Sequence, residues 1–241
     1  MGGRYGVGAA LHAYFAGIAM GIVTPGRTGE FFRAAYPVHA GVVPLEASIA
    51  SVLLDRLFDL TLLLVLSFCA GLWLVPGWWV LPVVGGLLGG ALLLPKLVSR
   101  GDHLLTRLIR KTPLGSDRYV GFKAAFRAGS GQVVPATLLT LAGYSVMQLQ
   151  VFWIARALGV EIGFVELLLY FSLANTFALL PISLSGLGTR EAALGFLFAL
   201  TGRPPLQGVT VSLAFFALMA LPVTGAGGVA LLLPARLFHT E

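Results

Sequence analysis

The 241-residue sequence predicts an all-α polytopic membrane protein. About six transmembrane helices are expected, with two short helices after Pro/Gly-broken segments and an internal two-fold repeat. Three observations carry this. First, the chain is 57% hydrophobic and 11% charged, with a mean hydropathy of +0.90, whereas soluble domains carry about 25% charged residues. Second, five stretches lack Asp, Glu, Lys and Arg altogether: residues 5–26, 60–95, 128–155, 167–189 and 204–235, the shortest 22 residues long. A helix needs about 20 residues to cross the hydrocarbon. Third, residues 28–60 match residues 189–221 without gaps at an offset of 161.

Residues 5–23 form the first expected helix, rich in small residues such as Gly6, Gly8, Ala13, Gly17 and Gly21. Small residues let membrane helices approach closely. Thr24-Pro25-Gly26-Arg27-Thr28-Gly29-Glu30-Phe31-Phe32-Arg33 follows. Its Pro and Gly residues interrupt the helix, and Glu30 is expected to open a short helix that stops by Pro37. Pro44 introduces a long helix over 45–75. The run 60–95 is too long for one span and contains the turn Pro76-Gly77 with Trp73, Trp78 and Trp79 around it. It reads as two spans joined at an interface, with tryptophans at headgroup level, so a further helix is expected at 78–94. The remaining spans are placed at 133–157, 164–181 and 206–233, the last softened by Pro222, Gly225, Gly227 and Gly228.

The repeat pairs Thr28 with Thr189, Glu30 with Glu191, Gly41 with Gly202, Pro44 with Pro205, Leu45 with Leu206 and Ser51 with Ser212. Leu57 and Leu60 fall on Leu218 and Leu221. Each half is then a helix, a break, a short helix with Glu, and a long helix. Transporters place their sites between such halves, at broken helices. A re-entrant course at both breaks gives parallel halves with both motifs cytoplasmic; a break at mid-membrane changes that count.

Charge is concentrated. Residues 95–132 hold eight basic residues against Asp102 and Asp117, which accounts for the whole net charge of +6. The positive-inside rule places this segment in the cytoplasm, as an amphipathic stretch lying on the anionic membrane surface. Nucleic acid is not the expected partner. No secretory signal peptide is evident. Cys69 is alone and His12, His39, His103 and His239 are scattered, so neither disulfides nor a metal site is expected, and no cofactor.

The chemistry lies in charged residues at membrane depth. Asp55 and Asp59 are an i,i+4 pair and Arg56 is i,i+3 with Asp59, so both carboxylates can flank the guanidinium, with Arg56–Asp59 the expected internal pair. They lie ten or more residues into the helix, about 15 Å at 1.5 Å per residue. An unpaired charge there costs at least ~2.5–3.5 kcal/mol. Arg27, Arg33 and Arg190 suit phosphate through the bidentate guanidinium. Backbone N–H groups freed at Gly26, Gly29, Gly186 and Gly188 suit an anion as well. Glu30 and Glu191 would hold the arginines or receive an amine. Asn175 is a further polar group, on the helix before the second break. The competing reading is that these residues are fixed ion pairs closing the helix breaks.

Three stretches, Pro25-Gly26-Arg27-Thr28-Gly29-Glu30 with Arg33, Leu54-Asp55-Arg56-Leu57-Phe58-Asp59, and Leu180-Pro181 through Gly186-Leu187-Gly188-Thr189-Arg190-Glu191, resemble in order and spacing the transmembrane region of lysylphosphatidylglycerol synthases. The stand-alone relatives of that region are flippase-like membrane proteins. The resemblance implies a multi-pass protein of a prokaryotic cytoplasmic membrane that translocates, or helps translocate, a phospholipid, glycolipid or lipid-linked headgroup. A lipid-modifying enzyme acting on the same lipid is the partner it suggests. Relative to the family pattern the chain is expected to be about two spans short at its N-terminus. It is also expected to lack the aminoacyl-transferase domain, and it has Asp55-Arg56 where Glu-Arg is frequent. The alternative is an ion- or proton-coupled small-solute carrier using Glu30, Asp55, Asp59 and Glu191. A membrane enzyme is not expected, because the sequence has no Ser–His pair, His-rich helix or paired-Asp protease motif to supply a positioned base.

Overall fold

The computed structural model describes residues 6–24, 28–74, 121, 124–125, 133–179, 183 and 185–232. The helix expected at 78–94 lies outside these residues, as does nearly all of the basic segment 95–132. The described residues are helical, with three helices long and apolar enough to cross a membrane: Leu45–Leu74, Pro135–Ala157 and Pro205–Leu232. Two shorter apolar helices, Val7–Val23 and Phe164–Ala178, accompany them.

In chain order, α1 is Val7–Val23, followed by a 3-10 helix Thr28–Ala34, α2 (Ala35–His39) and α3 (Leu45–Leu74). Then come α4 (Val133–Ala157), α5 (Phe164–Ala178), α6 (Thr189–Leu200) and α7 (Pro205–Phe215). A π-helical turn, Phe216–Ala220, joins α7 to α8 (Leu221–Leu232). Two boundaries differ from expectation. The short helix continues past Pro37 to His39, because Pro37 falls in the first turn of α2, where a missing N–H costs nothing. The helix expected to reach 181 ends at Ala178. Pro222 does not break the last span: it clashes with the carbonyl four residues back, and the π turn widens the backbone there.

The two short helices end alike. Gly41 N–H donates to Val38 O at 2.9 Å and Val42 N–H to Pro37 O at 3.1 Å. Gly202 N–H donates to Ala199 O at 3.1 Å and Arg203 N–H to Phe198 O at 2.9 Å. Both are Schellman caps, which require left-handed backbone, and φ is 68° at Gly41 and 74° at Gly202.

Helix α5 is central. Its Leu167, Tyr170, Phe171 and Ala174 are buried against Ala70 of α3, Val151 of α4, Leu194 and Phe198 of α6 and Val211 of α7. A polar staple crosses this core. Gln148 Nε2 donates to Ser172 Oγ at 2.9 Å, and Ser67 Oγ lies 2.6 Å from Thr176 Oγ1. Helix α1 packs on α8 and on the 3-10 helix, while α3 packs on α5 and α6 on α7. The approach of α1 to α8 is close enough that a Cβ on Gly227 would lie 2.2 Å from Phe15 O.

Candidate functional site

The charged residues form two clusters. The first is built where the 3-10 helix is clamped between α1 and α3. Thr24 Oγ1 donates to Met20 O at 2.9 Å and accepts from Gly29 N–H at 2.7 Å, which closes the end of α1 and turns the chain back. The 3-10 helix then lies on the glycine face of α1. A Cβ on Gly21 would sit 2.4 Å from Glu30 Cγ, and one on Gly17 2.9 Å from Arg33 Cβ. Ser48 Oγ, on α3, donates to Ala34 O at 2.8 Å and fastens the other side.

This packing brings Glu30 and Arg33 to the charged face of α3. Arg56 donates to Glu30, which is 6% exposed, and Arg33 donates to Asp55. Arg56 also lies 3.7 Å from Asp59. The expected Arg56–Asp59 pair is therefore present but secondary, and Asp55 pairs with Arg33 rather than flanking Arg56. Both main partners are more than twenty residues away in the chain, beyond what helical spacing can rank. The Asp55 and Asp59 side chains keep 48% and 40% of their exposure. The Arg33 guanidinium lies 5.9 Å from the Tyr14 ring centre. The Nε atoms of Arg33 and Arg56 are buried without an acceptor among the described residues. A cavity of 300 Å³ opens beside the cluster, lined among others by Tyr14, Arg33, Ser48, Ser51 and Asp55.

The second cluster is closed. Arg190, 2% exposed, donates from Nε to Ser212 Oγ at 2.9 Å and lies 3.2 Å from Glu191 Oε1. Ser212 Oγ donates to Glu191 Oε1 at 2.7 Å. Glu191 Oε2 accepts Gly188 N–H at 2.6 Å, the return half of a capping box. The rings of Phe171, Phe215 and Phe216 surround the guanidinium at 5.5–5.9 Å. The turn before α6 is left-handed at Ser185, Gly186 and Gly188.

These positions revise parts of the expected anion site. The backbone donors of Gly29 and Gly188 are already taken, by Thr24 and Glu191. A carboxylate thus occupies the start of α6, where an external anion would otherwise sit. Neither Arg190 nor Glu191 lines the cavity beside Arg33. Asn175 is half-buried on α5, and among the described residues no hydrogen bond joins it to either cluster. Arg27 and Gly26 lie outside the described residues.

Several partners were not singled out from the sequence. Ser212 and Ser51 carried a signal, since they are matched by the offset of 161. Gly21 carried one as a small residue that permits close approach, whereas Tyr14 carried none. Glu166 and Arg203, paired at 2.6 and 2.9 Å, tie α5 to the loop before α7.

Apolar helices long enough to span a bilayer, with two arginines paired to three carboxylates beside a cavity, define an integral membrane protein with an internal charged site. Residues 1–227 match the family model described as lysylphosphatidylglycerol synthase TM region. The chain belongs to that family, which ties it to membrane-lipid function. Neither the curated proteins nor the solved structures gave a match.

Proposed function

We propose that this chain moves a phospholipid, glycolipid or lipid-linked headgroup between the leaflets of a prokaryotic cytoplasmic membrane, its Arg/Glu motifs contacting the phosphate. The observation that carries this reading is the cluster of Glu30, Arg33, Asp55, Arg56 and Asp59 beside an open cavity. Ionisable groups inside a membrane are costly and mark substrate paths by default. Glu30 orients Arg56, while Arg33 and Asp55 line the cavity and Arg33 meets the headgroup. Arg27 adds a third cation to the same motif. Arg190 and Glu191 act in the second half as the fixed counterpart, closing its helix break. A lipid-modifying enzyme acting on the same lipid is the partner that suits such an activity. The chain itself performs no chemistry on the lipid.

The reading takes the chain as a duplicated unit of about six spans, with the cytoplasmic basic segment between the halves. Support comes from the Schellman caps at Gly41 and Gly202, whose hydrogen bonds correspond at an offset of 161. The packing supports it too. The first helix of each half, α1 or α5, packs on the long helix of the other half, α8 or α3.

The test is a vesicle assay. Purified chain is reconstituted with a headgroup-labelled phosphatidylglycerol, and inner-leaflet label is read by its accessibility to an impermeant quencher. Wild type should expose the inner-leaflet lipid, and Arg33→Gln should slow this at least tenfold. Exposure no faster than in protein-free vesicles would defeat the reading. The exposed carboxylates Asp55 and Asp59 favour a second reading, a proton-coupled solute carrier. Solute uptake driven by a proton gradient, with no lipid movement, would establish that one instead.

A further inference from the structure

We infer that the cavity beside Arg33 is an oxyanion subsite in which Ser51 and Arg33 hold a phosphoryl group, with Asp55 as a built-in competitor that occupies Arg33 until that group arrives. This deepens the proposed function and rests on its duplicated unit.

The two halves serve as templates for each other. Ser212 and Glu191 are the partners of Ser51 and Glu30 at the offset of 161. In the closed half, Ser212 Oγ accepts from Arg190 Nε and donates to Glu191. Arginine, hydroxyl and oxyanion are all satisfied there. In the open half the arginine comes from a different register, since Arg33 falls on Leu194. Its Nε is buried without an acceptor among the described residues. Ser51 is exposed and lines the cavity, and its hydroxyl makes no hydrogen bond among the described residues. The open half thus has the arginine and the hydroxyl but lacks an oxyanion shared between them, and the space beside them is a cavity.

A phosphoryl group supplies what is absent. One oxygen accepts from Ser51 Oγ–H, and the guanidinium, turning from Asp55, offers a planar fork to the others. The Tyr14 ring, 5.9 Å from Cζ, supports the guanidinium in either orientation. The volume of 300 Å³ takes a headgroup and leaves acyl chains outside, being at the lower end of ligand pockets, about 300–1,000 Å³. Asp55 suits the role of competitor because its side chain is 48% exposed and regains solvent on leaving. Glu30, 6% exposed, keeps Arg56 throughout.

The test is calorimetric titration of the purified full chain in detergent micelles with three probes: inorganic phosphate, dihexanoyl phosphatidylglycerol and phosphate-free dihexanoylglycerol. The phosphatidylglycerol should bind and the dihexanoylglycerol should not. Displacement of the lipid by inorganic phosphate would make the phosphoryl group alone sufficient. Lipid binding without phosphate binding would make the headgroup the ligand. Either result supports the subsite. Asp55→Asn should tighten binding several-fold. Ser51→Ala should weaken it about tenfold, as expected for a hydrogen bond to a charged group, at unchanged melting temperature. Arg33→Gln should abolish it. Ser212→Ala should lower the melting temperature and leave affinity unchanged. Unchanged affinity in Ser51→Ala, or weaker binding in Asp55→Asn, would overturn the proposal. The vesicle assay separates this proposal from the translocation reading. Lipid binding by a wild type that moves no lipid defeats translocation and leaves the subsite standing. Translocation at the wild-type rate by Ser51→Ala, with Arg33→Gln still slowed, defeats the subsite alone.

Discussion

Arg190 and Arg33 are both paired arginines of the same chain, yet their surroundings assign them opposite consequences. Arg190 is 2% exposed and enclosed by three phenylalanine rings, so removing its carboxylate strands a buried charge. Glu191→Gln should therefore cost about 3–5 kcal/mol of stability. Asp55 is a different case, because it is itself 48% exposed and its partner Arg33, though only 15% exposed, lines an open cavity rather than a ring of aromatic side chains. Asp55→Asn keeps an amide oxygen that can accept from Arg33 and should cost about 1–2 kcal/mol. Thermal unfolding in a fixed detergent ranks the two, and the reverse order would refute the open and closed assignment. Gly21 belongs to the same scale. Its added Cβ would stand 2.4 Å from Glu30 Cγ, so Gly21→Ala should cost about 1–3 kcal/mol through overpacking. The shorter side chain of Glu30→Asp should recover part of that loss in the double variant, which a double-mutant cycle measures.

Among the elements, the short helices are closed at their C-terminal ends by the same local geometry. Each stops at a glycine in the left-handed region and is followed by a proline, at 44 or 205, that opens the next long helix. A side chain at either glycine meets no neighbour, so only the backbone opposes it. Gly41→Ala and Gly202→Ala should each cost about 1–2 kcal/mol, the penalty for a left-handed L-residue. Equal losses at the two sites, read from unfolding curves, would fit equivalent caps. A loss at one alone would count against the duplicated unit. The differences between the elements are as informative. Helix α6 carries its Glu in a regular first turn, where Gly188 N–H consumes it. The first half presents Glu30 from a 3-10 helix and so delivers it to Arg56 on α3 instead.

At the scale of the whole molecule, α1 packs on α8 and α3 packs on α5. Gly227 is the close point of the first contact, 2.2 Å from Phe15 O for an added Cβ, whereas Gly225 faces open space. Gly227→Leu should lower the melting temperature and abolish lipid translocation by parting α1, and with it the wall of the cavity, from α8. Gly225→Leu should do neither. Equal behaviour of the two variants would show that this junction does not hold the cavity together.

The apolar runs, the breaks and the charged motifs were readable in one dimension, because hydropathy, proline, glycine and helical spacing act over a few residues. Helices near 7–23, 45–74, 133–157 and 205–232 follow from them. Partner choice did not follow. Arg56 reaches Asp59 by spacing alone, but the Glu30 contact depends on a 3-10 helix lying over Gly17 and Gly21. Tyr14 entered the site only through that same docking. Burial also separated two motifs that read alike in sequence, one sealed by aromatic rings and one opening on a cavity. Neutralising a charge at membrane depth depends on distances and solvent access, which arise only when distant helices meet.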